Sequence, residues 1–197
     1  MTGHKQLIKY MSTQSRDVLN NSVLIEIGST REFIPGHNSS EDFIIFCKKN
    51  NLKFISVDMD PECSQNVRNI SKKHNFDNFE VHTQKGEIFL KEYDGNMDFI
   101  YLDAFDFYHN NHSQKRMNAY NKYNNQTITK DDYFCHKMHK DCCIEIINKN
   151  KKPVICFDDI LDNNKKGKGV TAIPYLLENG YKLHEYNKSL HSMLLTT

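Results

Sequence analysis

With 197 residues the chain has room for one domain with a substantial core. Its 26 Lys and Arg against 25 Asp and Glu leave a formal charge of +1, which provides no broad basic field for nucleic acid. No apolar run reaches the roughly 20 residues of a membrane span, the first residues lack a signal-peptide core, and the six cysteines have no disulfide spacing, so a reducing cytoplasm is expected.

Residues 5–19 carry a loose apolar face (Leu7, Ile8, Met11, Val18, Leu19) that predicts a helix. Residues 23–27 read as a buried strand stopped by Gly28. The loop that follows carries Arg31, Pro35 and Gly36. Ser39-x-x-Asp42 then predicts a helix start, with the serine capping a free amide, and a helix to about Lys49. A second strand at 54–57 ends at Asp58, and Asp60-Pro61 opens the next helix, with the acid as cap and the proline where no amide is needed. A third strand at 79–82 leads to Gly86-Glu87 and a brief helix to Tyr93.

The stretch 97–109, MDFIYLDAFDFYH, organises the rest. Its apolar run stops at Asp103 and reads as a strand covered on both faces, and ligands of open parallel sheets bind beyond such carboxyl ends. The same shape recurs in PVICFDDIL, where a strand at 154–157 runs into Asp158 and Asp159. Between them, residues 105–130 are polar and Asn-rich and read as a lid or acceptor insertion. Thr129-x-x-Asp132 predicts a helix with Phe134, Met138, Cys142 and Ile146 on one stripe. Lys165, Lys166 and Lys168 read as a solvated loop that could also meet an anionic substrate. A helix at 170–178 stops at Asn179-Gly180, and two final strands, 181–186 and 190–196, are joined by a turn at Asn187-Lys188 and pair antiparallel. Strands alternate with helices and no linker divides the chain. The expected fold is a single α/β domain over 1–197, a Rossmann-like doubly wound sheet of about seven strands with the last antiparallel.

Taken together, LIEIGS, ISVDMDPE, VHTQKGE, FIYLDAFDFY, ICFDDIL and the closing hairpin resemble class I S-adenosylmethionine-dependent methyltransferases over nearly the whole chain. The pattern is most similar to divalent-metal-dependent O-methyltransferases of the catechol, caffeoyl-coenzyme A and macrolide-sugar kinds. The resemblance implies an S-adenosyl-L-methionine site involving Glu26, Gly28, Ser29, Asp58, Glu87 and Asp103. In it Gly28 permits close approach, Asp58 meets the ribose hydroxyls, Glu26 faces the donor's amino group and Glu87 lies near the adenine. Asp103, Asp158 and Asp159 are the implied ligands of Mg²⁺ or a similar cation, which would hold the acceptor oxygens and lower a hydroxyl pKa. His109, or else Asp106, is the candidate base. The acceptor is a small hydroxylated molecule, with sugars among the candidates; no nucleic acid or membrane partner is expected, and a homodimer is left open.

Plainer readings stand beside these. Glu26 could pair with a lysine, Glu87 could be a first-turn helix acid, Arg31 a surface residue rather than a donor contact, and Asp158-Asp159 a helix cap or turn. The chain also departs from the family in its glycine loop, where Gly28 is followed only by Gly36, so a degenerate binding protein is one alternative. A transition-metal site built from His109, His112, His136 and His139, with neighbouring cysteines, is another.

Overall fold

The structure, a computed structural model, describes residues 3–30, 38–110 and 112–197. The expectations on Arg31, Pro35 and Gly36 lie outside these residues. In chain order the strands are β1 (Val23–Ile27), β2 (Lys53–Asp58), β3 (Phe79–Thr83), β4 (Phe99–Leu102), β5 (Val154–Phe157), β6 (Ile160–Leu161), β7 (Lys166–Gly167), β8 (Lys182–Asn187) and β9 (Ser192–Thr196). Seven of them form one sheet in the order β3-β2-β1-β4-β5-β9-β8. The first five are mutually parallel, and β9 runs against both of its neighbours. The chain turns outward in both directions from β1, so the ends of β1 and β4 mark the switch point where ligands gather.

Alternation along the strands builds two cores. Val23, Ile25 and Ile27 of β1, with Ile55, Ile100, Leu102, Ile155 and Phe157, pack under α5 (Gly86–Glu92), α7 (Tyr133–Asn148) and α8 (Ala172–Glu178). Leu24, Phe54, Phe99, Tyr101 and Cys156 face the other way, under α1 (His4–Ser12), α3 (Ser39–Asn50) and α4 (Pro61–Lys73). All six cysteines are buried, and none is in a disulfide among the described residues. Among the described residues no helix is long and apolar enough to cross a membrane.

Local chemistry corrects several expected boundaries. The helix expected over 5–19 is two, α1 and α2 (Arg16–Leu19), because the Ser15 hydroxyl accepts from the Val18 amide at 3.3 Å and starts a new turn. Ser39 does not cap α3; Asn38 holds the cap position without a side-chain bond, and Ser39 and Ser40 give their hydroxyls to buried Glu26 instead. Asp60 caps α4 as expected, accepting from the Glu62 amide at 2.9 Å, with Pro61 in the first turn. The 105–130 segment holds α6 (Gln114–Asn124), and Phe105 stacks on Tyr120 at 4.3 Å in a third apolar cluster with Ile128 and Cys135. Thr129 does not start the next helix; its hydroxyl goes to Asp131, and α7 begins after Asp132. The final turn is longer than expected, spanning 188–191, with Asn187 Oδ1 accepting from the Leu190 amide at 3.1 Å.

Gly28 and Gly180 both have φ of +91°, but only Gly28 is enclosed: a Cβ there would lie 2.5 Å from the Asp103 carbonyl oxygen, and at Gly180 it would meet nothing. Gly180→Ala should therefore cost only the left-handed strain, about 1 kcal/mol, whereas Gly28→Ala should cost roughly 3 kcal/mol or more because backbone must also move. Urea midpoints of the two variants check this; equal losses would contradict the enclosed turn.

Candidate functional site

At the carboxyl ends of β1 to β4 lies an open cleft enclosing about 400 Å³ of space, open solvent included. Its floor is Ile27 and Gly28 of the β1 end, with Val57, Asp58 and Met59 from β2. One wall is Gln84 to Glu87, where β3 passes into α5. The other is Ala104 and Phe105 after β4, and it is roofed by Asn124, Gln126 and Met138. Gly28 is needed because the β1 and β4 ends touch, as the 2.5 Å approach to Asp103 shows. Val57, Phe105 and Met138 give the cleft apolar surface beside the polar groups of Asp58, Gln84 and Glu87.

Asp58 stands at the edge of this cleft. One oxygen accepts from the Ser29 amide at 2.9 Å and more weakly from its hydroxyl at 3.2 Å, and the other from the Asp60 amide at 2.8 Å. These bonds fix its direction. Across the cleft, Glu87 Oε2 and Asn124 Oδ1 are buried without a hydrogen-bond partner among the described residues. Burial pushes the Glu87 carboxyl above its ordinary range. Two orphaned acceptors lining one cleft are an arrangement a ligand's N–H groups would complete.

Glu26 does not line the cleft. It points to the α3 face and accepts from the hydroxyls of Ser39 at 2.6 Å, Ser40 at 2.7 Å and Ser56 at 3.1 Å, so its partners are serines and not the lysine weighed above. Burial raises it to about 7, against the pull of those hydrogen bonds.

The three expected metal ligands do not converge. Asp158 is buried and turned toward the chain's beginning, accepting from Tyr101 Oη at 2.6 Å, the Gly3 amide at 2.9 Å and the Asp159 amide at 2.9 Å. Asp103 and Asp159 instead face Lys168, whose ammonium donates to Asp103 Oδ1, lies 2.8 Å from Asp159 Oδ2 and 3.4 Å from Asp106 Oδ1. Among the described residues no three His, Cys, Asp or Glu side chains are grouped to hold a metal ion. The donor set does not fit Mg²⁺, because a side-chain cation already fills the place between these carboxylates. Burial would lower the Lys168 pKa, but Asp103, Asp159, Asp106 and Asp158 hold it well above the usual lysine value. Burial likewise raises Asp103, with Lys168 pulling the other way and Asp158 and Asp159 adding to the rise. Facing three carboxylates, the ammonium keeps its proton.

The candidate bases fare differently. Asp106 is mostly buried and held between Lys168 and Arg116 Nη1, the latter at 2.8 Å, so it acts as a counter-ion. His109 stacks on His112 at 3.6 Å beside Phe107 and lines no part of the cleft. His136 Nε2 bonds the Gly167 carbonyl at 3.0 Å, and His139 is buried with Nδ1 on the Cys135 carbonyl at 2.8 Å, so the four histidines do not form one site. Lys168 was missed because a lysine among lysines looks solvated; the excess of Asp at two strand ends, which demands a buried counter-charge, was the available signal.

No family model and no curated sequence matches the chain. Solved structures do. The ribosomal protein L11 methylase of Lactobacillus delbrueckii subsp. bulgaricus superposes with a TM-score of 0.57 at 10% identity over 98% of this chain and 75% of its own. The SAH-bound methyltransferase PaMTH1 of Podospora anserina gives 0.58 at 12%, over 96% and 77%. SMU.1697c of Streptococcus mutans, solved with SAH, gives 0.54 at 11%, over 95% and 94%. The fold is that of the class I S-adenosylmethionine-dependent methyltransferases.

Two buried groups set opposing pH slopes. Glu26 has a folded value above its ordinary 4.5, so the folded chain holds that proton more tightly and stability falls as pH rises from 4.5 through about 7. His139, lowered by burial to about 3, acts in reverse: stability is lost as pH falls from 6.5 toward 3. Glu26→Gln should remove the first slope alone, gaining roughly 2–3 kcal/mol on the wild type between pH 5 and 8. Urea melts at the two pH values test this, and parallel changes in both proteins would refute it.

Proposed function

We propose that this chain is an S-adenosylmethionine-dependent methyltransferase that acts on a small hydroxylated acceptor in the cytoplasm. The observation that supports it most is the cleft itself. Gly28, Asp58 and Glu87 follow three separate strands and line one cleft, in a chain whose fold is similar to SAH-bound methyltransferase structures.

When bound, S-adenosylmethionine supplies a methyl group on a sulfonium sulfur. Gly28 lets the β1 and β4 ends close on each other at the cleft floor, where a side chain would strike the Asp103 and Ala104 backbone. Asp58 takes a ribose hydroxyl, exchanging the 3.2 Å bond from Ser29 Oγ for it. Phe105 and Met138 shield a flat ring on its faces, and Glu87 and Asn124 offer their unfilled acceptors to its amino group. A carboxylate lip next to a cationic donor also favours binding electrostatically.

Proton removal falls to Asp103 in this reading, in place of His109 and Asp106. Asp103 follows β4 directly, its backbone touches Gly28, and its side chain is 27% exposed, whereas Asp106 is locked between cations. Metal assistance is not part of the proposal, because Lys168 stands where the cation would be held.

Calorimetry with S-adenosylmethionine tests the donor site without knowledge of the acceptor. Binding tighter than about 1 mM is expected for the wild type, and Asp58→Ala should weaken it roughly 10- to 100-fold, the worth of hydrogen bonds to a charged group. No heat at millimolar donor, or an unchanged affinity in Asp58→Ala, would contradict the assignment.

A further inference from the structure

Lys168 is 1% exposed, yet the residues it holds are not: the Asp103 side chain is 27% exposed and that of Asp159 41%. An ammonium has three N–H donors. Here they meet three carboxylates from two parts of the chain, Asp103 and Asp106 after β4, and Asp159 after β5. The cation lies underneath and two of its partners face outward, at adjoining strand ends beside the cleft.

The seat for this lysine is built into the β6–β7 hairpin. Gly167 has φ of +93°, and a Cβ on it would lie 1.8 Å from the Asp159 carbonyl oxygen, so no other residue allows this approach. The same carbonyl accepts from the Lys168 amide at 3.2 Å. From the other side His136 Nε2 is bonded to the Gly167 carbonyl, and Thr171 Oγ1 donates to the His136 carbonyl at 2.9 Å, which ties the hairpin to α7. Both backbone and side chain of Lys168 are therefore fixed on Asp159.

We infer that Lys168 is the resident cation of the acceptor subsite: resting on the transfer reading above, its ammonium bridges Asp103 and Asp159 and sets the spacing of the carboxylate pair that receives the acceptor. It is a positioning residue, since it is sealed from solvent and acts through the two aspartates. With all three ionised, Asp103, Asp106 and Asp159 outnumber Lys168 and Arg116, so the cluster carries net negative charge. Such a pair takes a neutral or cationic group with two adjacent hydrogen-bond donors, a vicinal diol or an amino alcohol, and repels phosphates and carboxylates.

If the ammonium fills a cation site, its removal should uncover one. In the full chain, Lys168→Met should bind one equivalent of Tb³⁺, read by tyrosine-sensitised luminescence and displaced by Ca²⁺, at least about tenfold more tightly than the wild type. Lys168→Arg should gain nothing, and adding Asp103→Asn to Lys168→Met should abolish the gain. Should Lys168→Met be unstable, its melting temperature should climb with Ca²⁺ while that of the wild type does not. A folded Lys168→Met with no gain, a wild type that already binds Tb³⁺ as tightly, or a variant that Ca²⁺ fails to restore would overturn the inference. Donor calorimetry on the wild type fails or succeeds separately, so loss of the transfer reading would leave the cation result readable.

Discussion

The ammonium of Lys168 among Asp103, Asp106 and Asp159 is the constraint on which the active edge of this molecule depends. Two sheet strands end in acids next to each other, and the segment after β4 adds a third. Without a cation those charges would repel and drag water into the edge of the core. A buried charge deprived of its partner costs several kcal/mol, and a buried pair contributes little net stability over an apolar substitute. The arrangement is therefore better explained by what it keeps in place than by how much it stabilises. It fastens the β6–β7 hairpin, the β4 end and the start of the α6 segment to one point.

A second buried network sits on the opposite face and does related work. Glu26 lies in β1 where alternation turns it, like Leu24, toward α3, and three serine hydroxyls from two elements satisfy it. Ser40 also accepts from the Thr30 amide at 3.0 Å, so the same serines hold the chain just beyond Gly28. The cleft floor is thus braced from behind by Glu26 and from the side by Asp58 through Ser29. Neither brace is apolar, and each ties a strand end to a helix start.

The architecture was legible because it is written locally. Apolar runs stopped by Gly28, Asp58 and Asp103, separated by helical stripes, specify alternating strands and helices, and a handedness rule leaves few ways to order them. Gly28, Asp58 and Glu87 line one cleft for the same reason: a residue's position at a strand end follows from the strand. The direction of a side chain past that end does not. Asp158 turned to Tyr101 and Gly3 because its parity in β5 points it to the α1 face, and Ser39 left its capping role because Glu26, thirteen residues earlier, needed a donor. Lys168 was hidden further still, since its partners lie up to 65 residues away and only the folded sheet edge brings them together.

The most direct test of this account is an experimental structure grown with S-adenosylhomocysteine and Mg²⁺ together. The account predicts the nucleoside against Asp58, Phe105 and Met138, with Lys168 still bridging Asp103 and Asp159. A nucleoside bound elsewhere, or a divalent ion shared by Asp103, Asp158 and Asp159 with Lys168 displaced, would contradict it.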